Sequence, residues 1–530
     1  MTTTMNEMVG EPVAAADRVI DSITARLRSN PHKITVFGDK GKLEYTYQAL
    51  YPRIIAVGAL LHRLWGTETR IGLVAENSID FVIIDLACIA AGLCTVCIDQ
   101  KSTLDEDAIA YFEGLSVQVV VRREPASAEE LKSSLRVVPY SELLEHHEGA
   151  TIAALSQSLS HSPYEWSDGE FLTIKQTSGS TGVPKAIGAT VGSIDDTLSL
   201  VQSMFTHNAQ DRVLVFLPLY LVQQRYWIYS SIYFGFDVIL TSWKYVLSVM
   251  GASSPTVVMG VPKFYDILKD RIQYKAQFLA AAGSDDAALR DAARAVLGSN
   301  VRYMWTGSAP CSRVALDFFW SLGVPLFEGY GTNETDIISK NTFAHCKLGS
   351  VGKVLPNRRV LLSASGQISV WRRQCVTTRY ELGEDNTGGF DGNVYVTGDL
   401  GYIDDEGYLF INGRVGDAFV LESGTTVHPQ EIELQLEKSD LISFAVVYGQ
   451  NRPFLVAVVD PQNRAVDRKA LEQTVYTITS KAGSAKRVGR IVLAHESFSE
   501  QNGCLSPQRK IVRRRILEKY REEIEACYTV

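Results

Sequence analysis

The sequence predicts an α/β protein: a large N-terminal domain of two α/β subdomains and a small β-rich subdomain, followed by a small α+β C-terminal domain. Apolar strand patterns alternate with helical patterns up to about residue 345, which is typical of parallel sheets covered by helices. Short strand patterns punctuated by glycine follow Leu348, which favours a β-rich unit. A chain of 530 residues is also too long for one hydrophobic core.

The first α/β subdomain is predicted from changes in the apolar period along the chain. Helical spacing gives way to short apolar runs and then returns, and each change marks a new element. The predicted elements are a helix at about 17–29, a hairpin turning at 39–42, a helix over 47–65, a strand over 70–76, a helix at about 80–91 and a strand over 94–99.

The same rhythm predicts the second α/β subdomain, with helices near Trp227, from Phe264 and before the last strand. Its predicted strands are 211–218, 236–240, 255–260, 301–307 and 324–331. The β-rich subdomain is predicted from 359–370, 393–399 and 401–413. About 115 further residues then form a separate α+β unit that begins near Gly413–Asp417.

Charge and hydropathy exclude several classes of partner. The 52 Lys and Arg against 60 Asp and Glu give a net charge of −8, so we expect no nucleic-acid partner. The most apolar stretch, Phe81–Ile98, is interrupted by Asp85 and Gly92 and predicts a buried helix and strand instead of a membrane span. The first residues lack a secretory signal pattern, so a cytoplasmic protein is expected. Cys94 and Cys97 have no second pair beside them and are interpreted as core cysteines.

The most informative segment is the loop 177–183, TSGSTGV, which is closed by Pro184 and Lys185. Glycines let backbone N–H groups approach phosphate oxygens, hydroxyls add donors, and a lysine supplies positive charge. The segment lacks the GK[ST] ending of a P-loop. Its residue types favour a phosphate-binding site, and a flexible surface loop is the alternative that composition alone leaves open.

TSGSTGVPK resembles the signature of the adenylate-forming superfamily, which contains acyl-CoA synthetases, adenylation domains of peptide synthetases and luciferases. Four further segments match that superfamily in the same order. They are a nucleotide wall (255–268, 301–312 and 326–335), a ribose-binding segment (394–414), the segment around the hinge (415–433) and a closing segment (502–516). The matches extend from about Thr35 to Tyr520, almost the whole chain.

The resemblance implies an AMP-forming acyl-CoA synthetase of the fatty-acyl or aryl-acid type. Such an enzyme uses ATP and Mg²⁺ to convert a carboxylic acid to an acyl-adenylate, releases pyrophosphate and transfers the acyl group to CoA. One alternative keeps adenylation but passes the group to a carrier-protein thiol or an amine, or activates another oxyanion such as nitrite. A nucleotide-binding pseudoenzyme is a third hypothesis.

The resemblance also implies the domain roles and partners. Residues 1–412 would bind ATP and the acid, 413–417 would form a hinge, and 418–530 would form a mobile C-terminal domain. Gly416 suits a hinge because glycine tolerates large backbone changes. We expect a small-molecule acid and CoA as partners and a monomer or homodimer, with no membrane span.

Site residues are carried over from the matching motifs. The catalytic set is Lys510 at the carboxylate and α-phosphate, Glu334 on the metal ion, and Thr181. The ATP phosphates would be bound by Thr177, Ser178, Gly179, Ser180, Thr181, Gly182 and Lys185. Adenine and ribose would be bound by Gly307, Ser308, Ala309, Gly329, Tyr330, Gly331, Asn333, Asp399 and Arg414. Taken singly, Asp399 could be a turn residue, Arg414 a surface ion pair and Lys510 part of a solvated basic helix face.

The sequence departs from the family pattern where the acid pocket is expected. Many relatives read LPLxH, whereas this chain reads LPLYLVQQR, with Leu221 in place of the histidine and Arg225 close behind. Leu221 and Arg225 are therefore predicted to line the substrate pocket, and Trp305 is predicted to line it as well. Arg225 could recognise an acidic group on the substrate; the alternatives are that it faces solvent or pairs with an internal carboxylate.

Overall fold

The computed structural model describes residues 6–9, 18–99, 104–123, 135–144, 164–177, 185–279, 285–382, 389–480, 487–506 and 510–529. The helices in these ranges are α1 Val19–Leu27, α2 Tyr47–Trp65, α3 Ile79–Ala91, α4 Glu106–Gly114, α5 Tyr140–Leu144, α6 Val191–Phe205, α7 Val222–Phe234, α8 Val246–Ser253, α9 Pro262–Leu279, α10 Asp285–Leu297, α11 Arg313–Ser321, α12 Pro429–Leu436, α13 Arg468–Ser480, α14 Arg513–Lys519 and α15 Arg521–Ala526.

The strands are β1 Asn6–Val9, β2 Lys33–Gly38, β3 Gly41–Thr46, β4 Arg70–Ala75, β5 Thr95–Asp99, β6 Val117–Arg122, β7 Arg136–Pro139, β8 Phe171–Thr177, β9 Lys185–Thr190, β10 Arg212–Val215, β11 Asp237–Leu240, β12 Val257–Gly260, β13 Tyr303–Thr306, β14 Leu326–Thr332, β15 Asp336–Lys340, β16 Lys353–Val354, β17 Arg358–Leu362, β18 Gln367–Arg372, β19 Phe390–Asp391, β20 Val394–Ile403, β21 Leu409–Arg414, β22 Phe419–Val420, β23 Thr426–Val427, β24 Ile442–Tyr448, β25 Leu455–Pro461 and β26 Val488–Leu493.

Two largely parallel sheets form most of the N-terminal part. The first has the order β7-β6-β4-β5-β8-β9 and the second the order β16-β15-β14-β13-β12-β10-β11-β2-β3. Antiparallel pairing is confined to the edges, at β8–β9 in the first sheet and at β2–β3, β14–β15 and β15–β16 in the second. The predicted α/β architecture is confirmed.

Several helices start and stop where the sequence supplies caps. Thr46, Ser78 and Thr190 precede α2, α3 and α6, and each side chain accepts a hydrogen bond from a first-turn backbone N–H, as N-cap residues do. Gly92 ends α3 with φ +72°, and a Cβ there would lie 2.4 Å from the Tyr164 ring. Only glycine fits this tight turn into β5.

The β2–β3 hairpin joins the second sheet. The sequence predicts it among the elements of the first subdomain, but β2 pairs in parallel with β11, with Ile34 opposite Val238. The hairpin extends the edge of the second sheet and so satisfies backbone groups of β11 that would otherwise be unpaired. Apolar period marks these strands but carries no information on which edge they join.

The β-rich sheet has the order β1-β17-β18-β20-β19, with β21 also paired with β20. The C-terminal unit has a hairpin, β22–β23, and a three-stranded sheet, β24-β25-β26, with α12 to α15 around it. Ile516 of α14, Ile524 of α15 and Tyr520 between these helices are buried in that unit. Within the described ranges, no helix combines the length and apolarity needed to cross a membrane.

Candidate active site

A cleft of ≈ 2420 Å³ lies between the N-terminal sheets and the C-terminal unit. It opens where parallel strands of the second sheet end, the position at which α/β proteins usually bind ligands. The sequence-predicted residues in its wall are Lys185, Leu221, Trp305, Gly307, Ser308, Ala309, Gly329, Tyr330, Gly331, Asn333, Glu334, Asp399, Arg414 and Lys510. Segments far apart in the sequence therefore meet at one site.

The predicted phosphate loop leaves β8 and returns along β9. Thr177 and Lys185 face each other in the antiparallel register of these strands. The predicted residues between them, Ser178, Gly179, Ser180, Thr181 and Gly182, lie outside the described residues. Lys185 Nζ lies 4.4 Å from the centre of the Tyr380 ring, a cation–π contact that holds the ammonium group at the cleft wall.

Glu334 is oriented by a phenol. Tyr380 donates a hydrogen bond to Glu334 Oε1 at 3.1 Å, and the hydroxyl oxygens of Tyr380 and Tyr395 lie 3.1 Å apart. Burial, followed by the charge of Glu334, raises the pKa of Tyr395, so this phenol stays protonated. Glu334 is thus held at the cleft by the Tyr380 hydroxyl, which in turn lies beside the protonated phenol of Tyr395.

The residues present fit a Mg²⁺ ion that arrives with a phosphate ligand. Among the described residues, no group of three or more His, Cys, Asp or Glu side chains forms a metal cage. Mg²⁺ usually keeps several waters and binds through one or two carboxylates together with substrate phosphates. Glu334, which lines the cleft with Lys185, supplies such a carboxylate.

Asp399 is the centre of a hydrogen-bonded cluster and is 6% exposed. Tyr330 donates to Asp399 Oδ2 at 2.6 Å, and Arg414 donates through Nε to Oδ1 at 2.9 Å. Burial, and then the charge of Asp399, raise the pKa of Tyr330. A carboxylate has about four lone-pair sites, so Asp399 retains capacity to accept from sugar hydroxyls.

Glycines bring three strand ends together at the cleft. A Cβ on Gly307 would lie 3.1 Å from Gly329 O, and a Cβ on Gly331 would lie 2.0 Å from Asp336 O. Side chains at these positions would push the backbone apart. Ser308 has φ +69°, a left-handed conformation that is uncommon outside glycine. Ala309 and Asn333 continue the same wall.

Lys510 lines the cleft from the C-terminal unit and is hydrogen-bonded to Ser506. Ser506 N donates to Lys510 O at 2.8 Å, and Lys510 N donates to Ser506 Oγ at 3.1 Å. Burial, with a smaller contribution from the positive charge of Arg414, lowers the pKa of Lys510 to about 8. The amine therefore lies within electrostatic range of the Asp399–Arg414 pair.

Arg513 anchors the segment that carries Lys510. Its Nη2 donates to Glu433 Oε1 at 2.6 Å and Oε2 at 2.5 Å, and its Nη1 donates to Val447 O at 3.1 Å. Arg513 Nε also lies 3.8 Å from Asp417. Arg514, the next residue, is exposed and pairs with Glu518. Within the basic segment, Arg513 is thus an anchoring residue and its neighbour Arg514 a solvated one.

The structure places the predicted pocket residues differently. Leu221, at the start of α7, and Trp305 line the cleft. Arg225 is 1% exposed, and its guanidinium donates to Asp85 at 2.8 Å and to Thr173 at 2.9 Å. The internal-carboxylate alternative therefore describes Arg225, and we do not retain it as a pocket residue. Its proximity in sequence to Leu221 suggested the pocket, but α7 turns it towards α3.

Sequence reasoning missed several side chains at the cleft. Tyr380, Tyr395 and Arg513 act through other residues. Tyr380 lies outside the matching segments, and Tyr395 and Arg513 lie inside two of them without being assigned a role at the site. Glu328 lies inside a motif already recognised and lines the cleft. Burial raises its pKa to about 7 although Cys311 N donates to it at 3.3 Å. The sequence feature that could have identified Glu328 is the presence of a carboxylate in an apolar strand, two residues before Tyr330.

Residues 23–367 match the AMP-binding enzyme family, and residues 416–530 match the AMP-binding enzyme C-terminal domain. The chain belongs to the AMP-binding enzyme family. The predicted membership of the adenylate-forming superfamily is thereby confirmed. This AMP-binding enzyme carries both parts of the family's architecture on one chain.

Curated relatives of this AMP-binding enzyme are ligases. It is 26% identical to the long-chain-fatty-acid–CoA ligase FadD15 of Mycobacterium bovis, over 87% of this chain and 88% of the relative. It is 24% identical to the long-chain-fatty-acid–[acyl-carrier-protein] ligase AEE15 of Arabidopsis thaliana, over 92% of this chain and 83% of the relative. The predicted enzyme class, a ligase, is confirmed.

A solved structure has the same fold. The o-succinylbenzoate coenzyme A synthetase of Bacillus subtilis, in complex with ATP and magnesium ion, superposes with a TM-score of 0.73 at 19% identity. The match covers 93% of this chain and 98% of that chain. The likeness therefore includes the C-terminal unit as well as the N-terminal sheets.

Proposed function

We propose that this AMP-binding enzyme is an ATP- and Mg²⁺-dependent acyl-CoA ligase that acts through an acyl-adenylate. The observation that carries the proposal is that Lys510 of the C-terminal unit shares one cleft with Glu334 and Asp399 of the N-terminal part. A cation, a metal-binding carboxylate and a hydroxyl-binding carboxylate are the groups that adenylation requires. The alternative site roles, a turn aspartate or a solvated lysine, leave this convergence unexplained.

In the first step, a carboxylate oxygen of the acid attacks the α-phosphorus of ATP, and the bond from that phosphorus to the pyrophosphate oxygen breaks. Negative charge accumulates on the phosphoryl oxygens, and fixed cations stabilise it. Lys510 would stand at the carboxylate and α-phosphate, and Lys185 at the leaving pyrophosphate. Mg²⁺ held by Glu334 would supply electrophilic assistance. The remaining loop residues of the phosphate set, Thr181 among them, stay predictions.

In the second step, a thiolate attacks the acyl carbonyl carbon and AMP leaves, while the thiol proton passes to solvent. Residues 413–417 are the proposed hinge between the two steps. Arg414 ends β21, and a Cβ on Gly416 would meet no heavy atom within 4 Å. Rotation there would withdraw Lys510 and admit the thiol. The domain limits 1–412 and 418–530 belong to this proposal.

CoA and a carrier-protein thiol are the two candidate acceptors of the acyl group. The relatives named for CoA favour CoA as the thiol, and the relative named for acyl-carrier protein motivates a carrier-protein thiol as the second candidate. The same names favour a long-chain fatty acid as substrate class. A cytoplasmic location and a monomeric or homodimeric state remain predictions from the sequence.

The test is acid-dependent exchange of pyrophosphate into ATP, followed by assay of product with CoA and with holo-acyl-carrier protein. The panel contains aryl acids, nitrite, and fatty acids of short, medium and long chain. We expect exchange with a fatty acid and CoA-dependent thioester formation. Exchange followed by transfer to the carrier protein alone would replace CoA as acceptor, and absence of exchange with every acid would refute the proposal.

A further inference from the structure

The acid side of the cleft contains a buried amide group that lacks one of its partners. Gln224, in the first turn of α7, is 1% exposed and lines the cleft. Its Nε2 donates to Met259 Sδ at 3.6 Å. Its Oε1 has no hydrogen-bond partner within the described part of the chain. Buried carbonyl oxygens are normally paired, so a ligand in the cleft is the available source of a donor.

The surroundings of Gln224 are apolar and fixed. Trp227 Nε1 also donates to Met259 Sδ, at 3.3 Å, so both N–H donors of this region are directed at one sulfur. The rings of Trp227 and Trp305 meet edge to face with centroids 6.0 Å apart. Leu198 and Val201 of α6 line the same cleft. Hydrocarbon fits this environment, and a polar group there must be matched individually.

Charge excludes an ionised partner for Gln224. The nearby cation on α7, Arg225, is paired with Asp85 at 2.8 Å and points to the other side of the helix. Lys340, whose Nζ lies 3.9 Å from the centre of the Trp305 ring, donates to Phe327 O. Asp336 accepts from Gln223 and Tyr226. An ionised group of the substrate beside Gln224 would therefore meet charges already engaged within the protein and a neutral amide, which is unfavourable. A neutral hydrogen-bonding group carries no such penalty.

We infer that Gln224 selects acids that carry a hydroxyl group near the carboxyl end, with the hydroxyl hydrogen donated to Gln224 Oε1. The inference rests on the proposed function and names the substrate class of the same site. A thioether is a weak hydrogen-bond acceptor, so the bond to Met259 does not fix the amide of Gln224. Rotation of the amide would exchange the positions of its oxygen and nitrogen. A hydroxyl both donates and accepts, so it fits either orientation of the amide.

The position of Gln224 on α7 sets the depth of the hydroxyl. The start of α7 lies at the strand ends, where Leu221 lines the cleft. Ser230 also lines the cleft. It is six residues beyond Gln224, which is about 9 Å further along the helix axis. Gln224 therefore acts on the part of the acid nearest its carboxylate, and the hydrocarbon tail passes Trp227 towards Ser230.

The experiment compares dodecanoic acid with its derivatives hydroxylated at the second, third or fourth carbon, by ATP–pyrophosphate exchange with the full chain. We expect kcat/KM for one hydroxy acid to exceed that for the parent acid by at least about tenfold, because a site built around a hydrogen bond rejects an analogue that lacks it. In Gln224→Leu the ratio of kcat/KM for the hydroxy acid to kcat/KM for the parent acid should fall by about tenfold. The matched control Gln210→Leu, at an exposed loop position, should retain the wild-type preference.

The outcomes distinguish failure of this inference from failure of the proposed ligase function on which it rests. Equal kcat/KM for hydroxy and parent acids in the wild type, or a preference that survives in Gln224→Leu, overturns the role of Gln224 and leaves the ligase intact. No exchange with any acid overturns the proposed function itself. If Gln224→Leu does not fold, Gln224→Met, which keeps the side-chain length, takes its place, and the wild-type comparison decides alone if neither folds.

Discussion

Asp399 and Arg414 face each other across the β20–β21 pair and are joined by an Nε–H···Oδ1 hydrogen bond of 2.9 Å. Val415, the residue after Arg414, donates to Gly398 O at 2.8 Å, on the other side of Asp399. The proposed ribose site and the start of the proposed hinge therefore belong to one strand ladder. A nucleotide bound at Asp399, as proposed, would act directly on the strand that leads to the C-terminal unit.

Asp399→Asn should weaken ATP binding. The neutral amide accepts more weakly than a carboxylate and leaves the Arg414 charge without its partner. We expect the KM for ATP to rise at least about tenfold, measured by initial rates of exchange at saturating acid. Asp405→Asn, in an exposed turn nearby, is the control. An unchanged KM for ATP in Asp399→Asn would remove this residue from the nucleotide site.

Adenylation should be lost on the alkaline side as Lys510 deprotonates. Burial and Arg414 lower the pKa of Lys510 to about 8. The amine is charged below that pKa and neutral above it, so the cation at the α-phosphate disappears as the pH rises through about 8. The profile of kcat/KM for exchange, which reports the free enzyme, should show this limb. In Lys510→Arg, whose guanidinium stays charged, the limb should move to higher pH; an identical limb in both proteins would contradict the assignment.

Arg513→Met should destabilise the C-terminal unit and reduce adenylation. The substitution leaves Glu433, 6% exposed, without its partner, and breaking a buried pair in this way costs about 3–5 kcal/mol. Urea unfolding monitored by far-ultraviolet circular dichroism measures the decrease in the free energy of unfolding. Arg514→Met is the matched control, because the exposed Arg514–Glu518 pair contributes at most about 1 kcal/mol. Equal effects of the two substitutions would show that Arg513 is not an anchor.

Arg225→Leu should affect stability without affecting acid selectivity. Removal of the guanidinium leaves Asp85 buried with one donor, Tyr229, at 2.6 Å, and we expect a loss of about 3–5 kcal/mol in the free energy of unfolding. The relative kcat/KM values across the acid panel should stay unchanged at permissive temperature. The double substitution Asp85→Leu with Arg225→Leu should be less destabilising than the single one. A change in acid preference would return Arg225 to the pocket.

Local elements were predictable because their signals are local. The helix over 47–65 and the β4–α3–β5 unit follow from apolar period and from the Thr46 and Ser78 caps. The partner of the β2–β3 hairpin could not be predicted, since pairing of Ile34 with Val238 depends on a sheet edge that forms about two hundred residues later in the sequence.

Some residues of the candidate site could be predicted from the sequence and others could not. Residues with a motif, such as Glu334 and Lys510, were identified from sequence and line one cleft. Contacts between residues far apart in the sequence could not be predicted: Tyr380 contacts Glu334 from 46 positions away, and Arg513 contacts Glu433 from 80 positions away. The orientation of Arg225 could not be predicted, because adjacent residues of a helix lie on different faces and a small rotation decides whether a side chain faces the cleft or Asp85.

The most direct test of adenylation at this cleft is acid-dependent ATP–pyrophosphate exchange by the wild type and by Lys510→Ala, measured together with ATP binding to both proteins. We expect exchange in the wild type with a fatty acid, a reduction of at least about a hundredfold in Lys510→Ala, and ATP affinity that changes little. Full exchange activity in Lys510→Ala, or exchange that does not depend on any acid, would contradict acyl-adenylate formation at this site.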